Sequence, residues 1–170
     1  MDLMISENFD LSMISQDKVK ALEHELLKMP QAEIITDHIF EEGRYLRRIT
    51  VPPWTVLTGA EHKTPYKVRL EKGTIAVNVD DVVKILIAPL EFDAPAGVQR
   101  AGRVYDEEVV WTDIYDNPDN CQDIPTLEDR LYVVPEYGLG ESRTDDQKVL
   151  LHQMFPDNQS YLLTTEEGVQ

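Results

Sequence analysis

The stretch Thr74-Ile75-Ala76-Val77-Asn78-Val79-Asp80-Asp81-Val82-Val83-Lys84-Ile85-Leu86-Ile87 decides the fold class. Two runs rich in β-branched and aliphatic residues flank Asp80-Asp81, a pair whose turn chemistry closes a hairpin. The rhythm continues on both sides. Upstream, Ile34-Ile35 and Ile39-Phe40 lead to Glu42-Gly43, residues 45–51 alternate up to Pro52-Pro53, and Trp54-Thr55-Val56-Leu57-Thr58 and residues 66–70 follow before a turn at Gly73. Downstream, residues 91–93, 100–105 and 109–115 complete the set. Short strands at close, regular spacing, punctuated by Gly and Pro, predict a mainly β sandwich or barrel of jelly-roll type over residues 34–116.

The flanks read differently. Residues 1–14 carry Leu3, Met4, Ile5, Phe9, Leu11, Met13 and Ile14 without a clean period, the pattern of an arm ordered against something else. Ser15 can cap a helix in which Val19, Leu22, Leu26 and Leu27 recur at helical spacing until Pro30, so residues 1–33 form an arm and one amphipathic helix. His24 lies on this helix as a surface residue. Residues 117–170 are an acidic, extended C-terminal arm: a loop at Asp116-Asn117-Pro118-Asp119-Asn120, a turn or two of helix at 126–131 started by a Thr126 cap, and from 136 a mobile or partner-ordered segment. Its apolar patches Val149-Leu150-Leu151 and Met154-Phe155, with His152 between them, need burial that the arm cannot supply alone.

Among the chain's 170 residues the net charge of −16 is unevenly placed, −3 over residues 1–104 and −13 over residues 105–170. Such a surface repels phosphate backbones and offers no counterion release, so no nucleic-acid partner is expected; a solvated tail or a dock for a basic partner fits. No apolar run is long enough to span a bilayer and no signal-peptide pattern opens the sequence, so the chain is expected to be soluble, without membrane insertion. Its one cysteine, Cys121, stands among Asn120, Gln122 and Asp123 and is expected to be a free thiol in a reducing compartment. No Ser-His-Asp or Cys-His arrangement, phosphate-binding glycine loop or zinc spacing is present.

The ordered set Asp37-His38-Ile39-Phe40, Gly43-Arg44-Tyr45, Arg47, Val51-Pro52-Pro53-Trp54-Thr55, Thr58-Gly59, His62-Lys63, Gly73, Ala88-Pro89, Phe92, Pro95-Ala96-Gly97, Arg100 and Val110-Trp111-Thr112 resembles the cupin superfamily, specifically the small cupin-like proteins of tailed bacteriophages. The resemblance covers residues 34–116 and implies a cupin-like double-sheet jelly-roll barrel. In cupins the interior holds a divalent metal on two or three histidines and a carboxylate, which suits an oxygenase, isomerase or sugar-modifying site.

This chain departs from that ligand set. Where the family places imidazoles at alternate positions, only His62 stands, with Thr64 and Tyr66 at the others. In Pro95-x-Gly97-x-x-Arg100 the histidine position holds an arginine, a permanent cation without a lone pair. No metal, cofactor or catalytic residue is therefore expected, the alternative being a site on His38 and His62. His62, Tyr66 and Arg100, all inward, would make a pocket for a carboxylate, phosphate or sugar. The competing reading pairs Arg100 with Glu71 or Glu91 inside the barrel, leaves Tyr66 as filler and His62 as a satisfied core histidine, and makes Trp54 and Trp111 core anchors. The resemblance and the arms together predict a non-catalytic virion structural protein of the tail, collar or capsid surface. It would be made in the host cytoplasm and would assemble as a homo-oligomer or onto other virion proteins. A metal-dependent cupin enzyme and a carbohydrate or small-anion binding module are the alternatives.

Overall fold

The computed structural model describes residues 15–161. Helix α1 (Gln16–Leu27) starts at Ser15, whose side chain accepts from the Lys18 amide, as the sequence predicts. Ten strands follow: β1 (Ile35–Glu41), β2 (Arg44–Val51), β3 (Val56–Thr58), β4 (Glu61–His62), β5 (Tyr66–Lys72), β6 (Thr74–Val79), β7 (Val82–Ile87), β8 (Leu90–Ala94), β9 (Ala101–Val104) and β10 (Val109–Asp116). Helix α2 (Ile124–Leu131), the short β11 (Tyr132–Val133) and α3 (Asp145–Met154), with single 3-10 turns at Gly140–Ser142 and Gln159–Tyr161, complete the described chain. No described helix is long and apolar enough to cross a membrane.

The strands form two antiparallel sheets, ordered β1-β2-β10-β5-β8 and β3-β9-β6-β7, with β11 and β4 paired separately. Between the sheets lies one apolar core that includes Val51, Val68, Leu70, Ile75, Val77, Val104 and Val109. This is a double-sheet β architecture of the jelly-roll kind that the strand rhythm predicts. The β6–β7 hairpin turns on Asp80 and Asp81, at φ 54° and 63°, two left-handed residues whose twist matches that of the flanking strands. Gly73 is required where β5 hands over to β6: its φ is 89°, and a Cβ there would lie 2.5 Å from the Glu108 carbonyl oxygen. Helix α1 lies outside the four-stranded sheet, where the fully buried Val19 packs with Ala101, Leu22 and Val83. Gln16 fastens its start, donating to the Gln99 carbonyl at 3.1 Å and accepting from the Gln99 amide at 2.7 Å.

Three expectations need correction. The C-terminal extension is not an extended arm over its described part. Leu127, Leu131 and Tyr132 enter the main core, while Leu151, Phe155 and Tyr161 bury themselves against Leu27 of α1. The chain thus covers much of its own acidic tail's apolar surface, with Asn158 and Tyr161 hydrogen-bonded to the Leu27 carbonyl at 2.9 and 2.6 Å. The burial came from α1, more than a hundred residues away in sequence, and a linear reading of the tail cannot supply it. Helix α2 also starts earlier, because Asp123, not Thr126, caps it by accepting from the Thr126 amide at 3.1 Å. Trp54 is no core anchor: it sits in a turn at φ 62°, 51% exposed, whereas Trp111 is buried. The arm of residues 1–14 and the last residues, 162–170, lie outside the described residues.

Candidate functional site

Period-two alternation sends one row of each strand into the barrel. On β2 that row contains Tyr45 and Arg47, on β5 Tyr66 and on β10 Trp111, Asp113 and Tyr115, with Arg47 and Asp113 paired in register across β2 and β10. His62 enters from β4 and Tyr132 from its partner β11.

These side chains form one buried network. The His62 ring stacks on Tyr66 at 3.8 Å between centroids and meets Tyr132 edge-on at 5.1 Å. Its Nε2 lies 2.8 Å from the Tyr115 hydroxyl. That hydroxyl donates to Asp113 Oδ2 at 3.1 Å and lies 3.0 Å from the Tyr132 hydroxyl. The other carboxylate oxygen of Asp113 accepts from Trp111 Nε1 at 2.8 Å. Because Tyr115 donates to the carboxylate, the network assigns His62 Nε2 as a donor to Tyr115.

Electrostatics follow from burial. Burial pushes the His62 imidazolium down to a pKa of about 4, with Arg100 and Arg47 lowering it further against an opposing interaction with the Ala60 backbone. Burial raises Asp113, opposed by its bond from Trp111 and by Arg47. Burial also pushes Tyr66 up to about 12 and holds Tyr45, Tyr115 and Tyr132 well above the ordinary phenol range. At neutral pH the site therefore contains a neutral imidazole, protonated phenols and two guanidiniums, Arg47 and Arg100. Arg47 Nε is buried and has no hydrogen-bond partner among the described residues.

The three residues singled out from sequence, His62, Tyr66 and Arg100, come together: Arg100 Nε reaches the Tyr66 hydroxyl at 3.4 Å, and Nη1 donates to the Asn78 carbonyl at 2.7 Å. Arg100 also lies over the Phe92 ring, 5.5 Å from its centroid. It does not pair with Glu71 or Glu91. Those carboxylates are on the outer face, held by Arg48 at 3.0 Å and Arg69 at 2.7 Å. Thr64 is exposed, because the chain turns between β4 and β5 and the alternation breaks there. The sequence reading missed Arg47, Asp113, Tyr115 and Tyr132. A charged residue at an inward position of the apolar row Val109, Trp111, Asp113, Tyr115 was the available signal for Asp113; nothing local in Tyr132 marks it.

The donor set does not fit a divalent metal. Among the described residues no three His, Cys, Asp or Glu side chains gather. His62 and Asp113 approach to 3.9 Å, but two guanidiniums share their surroundings. His38 is no second ligand for His62. Its Nδ1 lies 2.7 Å from the Tyr45 hydroxyl, and stacked Tyr45 and Tyr115 stand between the two imidazoles.

No protein-family model matches the sequence, and no curated protein matches it. Solved structures are similar over about half of the chain. A cupin domain of an XRE-family transcriptional regulator from Enterobacter cloacae is 14% identical, covering 49% of this chain and 95% of that one at a TM-score of 0.43. A cupin-2 domain from Rhodospirillum rubrum is 18% identical over 52% of this chain and 62% of that one, at 0.46. KdgF from Halomonas sp. is 10% identical over 49% and 80%, at 0.43.

Proposed function

We propose that this chain is a non-catalytic cupin-like protein that works by contact: a structural component of a tailed-bacteriophage virion, joined to copies of itself or to other virion proteins. The observation that carries the reading is the composition of the barrel interior. Where a cupin metal would need converging lone pairs, this chain has Arg100 and Arg47, with His62 committed to Tyr115. The sequence resemblance described above supplies the virion setting. Exposed apolar side chains at Ile35, Val133, Val134, Val149 and Met154 offer surface for such contacts. The test combines three measurements on purified protein: metal content, melting with and without a chelator, and retention on purified particles after a salt wash. Stoichiometric metal with chelator-sensitive melting would overturn the non-catalytic part; recovery only in the particle-free lysate would overturn the virion part.

A second reading rests on Arg47. A buried guanidinium whose Nε has no partner among the described residues, acting together with Arg100 on His62 and surrounded by the phenols of Tyr45, Tyr115 and Tyr132, suits a small carboxylate, phosphate or sugar acid inside the barrel. Thermal stabilisation by such a compound, abolished by Arg100→Ala, would favour it over the first reading.

A further inference from the structure

Trp54 stands outside every apolar cluster of the described residues, with its side chain 51% exposed. Its backbone is in the left-handed region at φ 62°, where glycine and asparagine are at ease and a bulky side chain is strained. The neighbours hold it there. Pro52 and Pro53 fix the approach of the chain, and the Trp54 amide donates to the Tyr105 carbonyl at 2.8 Å. Thr55 Oγ1 donates to the Pro52 carbonyl at 2.8 Å, and the Thr55 carbonyl accepts from the Val104 amide at 2.8 Å. Asparagine would suit this backbone better, and the indole adds nothing to the core, so the use of the ring lies outside the chain.

The charge beside it is one-signed. The Tyr105 carbonyl that receives the Trp54 amide is followed directly by Asp106, Glu107 and Glu108. Glu108 is bonded by Lys72 at 3.0 Å, and Arg103 lies over the Tyr105 ring, 5.3 Å from its centroid, whereas Asp106 and Glu107 are exposed. A pinned aromatic face therefore adjoins two carboxylates open to water. A guanidinium or an ammonium is attracted by both parts, the electron-rich ring and the carboxylates, while an anionic partner is repelled. A sugar could stack on the ring but would leave the two charges unused. Because the turn is already rigid, docking has little backbone left to order.

We propose that Trp54, with Asp106 and Glu107, is the anchor for a basic segment of a partner protein, one arginine or lysine lying on the indole and its neighbours pairing with the carboxylates. This site is apart from the barrel interior and does not rest on the virion reading.

A hexa-arginine peptide is the probe, titrated at low salt into the full-length, nitrogen-15-labelled protein and followed by NMR. The chain has two tryptophans, so Trp54→Asn assigns both indole signals. The Trp54 indole and the amides of residues 105–107 should shift saturably, while the indole of the buried Trp111 stays in place. Trp54→Asn keeps the left-handed turn, so it should melt no lower than the parent and bind the peptide about tenfold more weakly. Asp106→Asn with Glu107→Gln should weaken binding by a similar factor. Binding that ignores Trp54→Asn, with shifts spread over the acidic chain, would overturn the proposal as diffuse charge attraction. A lower melting temperature for Trp54→Asn would assign the indole to the fold and overturn it too. Saturation of the Trp54 signal by maltohexaose but not by the peptide would replace it with a sugar platform, and no shift with either would remove the site.

Discussion

The two faces of the five-stranded sheet are built by the same strands and treat charge in opposite ways. Outside, charges sit in cross-strand pairs open to water: Arg69 with Glu91 at 2.7 Å, Lys67 with Asp93 at 3.1 Å, and Arg48 with Glu71 at 3.0 Å over the buried Thr112. Inside, Asp113 is satisfied by Trp111 and Tyr115, and Arg47 keeps an unpaired Nε. Water can replace any partner on the outer face. In the interior no solvent stands ready to replace a lost protein partner, so the same kind of side chain becomes far more consequential. A barrel that needed only to fold could have filled this row with aliphatic residues.

The largest break in that comparison is expected from Asp113→Ala. It strands the Trp111 and Tyr115 donors and removes a buried carboxylate that faces two guanidiniums, so denaturant unfolding should show a loss of about 3–5 kcal/mol. Next comes pH. The His62 pKa falls from 6.5 to about 4 on folding, so in that window the unfolded chain binds a proton the folded chain refuses. Stability should therefore be lost as pH drops from 6.5 towards 4, by about 3 kcal/mol at most, and His62→Gln should flatten the profile. Asp113, whose pKa is raised, contributes with the opposite sign: its share is present at acid pH and lost as pH rises through its folded value. Subtracting the His62→Gln profile from that of the parent isolates the imidazole. Tyr132→Phe removes one buried hydroxyl from the chain of hydrogen bonds and should cost about 1 kcal/mol by the same unfolding measurement. On the outer face, a double-mutant cycle on Arg69 and Glu91 should return no more than about 1 kcal/mol, falling further at high salt. A large coupling there, or a negligible loss from Asp113→Ala, would erase the contrast between the faces.

Much of the barrel was readable along the chain because strand alternation and turn chemistry are local. The hairpin at Asp80-Asp81, the strands β5 and β10, and the helix capped by Ser15 all follow from neighbours a few residues apart. The site was readable only in part. His62, Tyr66 and Arg100 stood out because a resemblance drew attention to their positions, whereas Tyr132 reaches the network through the pairing of β11 with β4, about seventy residues earlier.

The linear order of residues therefore determined that this is a mainly β molecule with a helix at its N-terminal side, a lone cysteine and an acidic last third. Tertiary structure alone decided that Glu71 and Glu91 face water rather than Arg100, and that the tail folds onto α1. It also decided that Arg47, Asp113, Tyr115 and Tyr132 share one interior. The physical reason is range. Backbone periodicity is set within a few residues, but burial and charge compensation depend on which distant strands the sheets bring side by side.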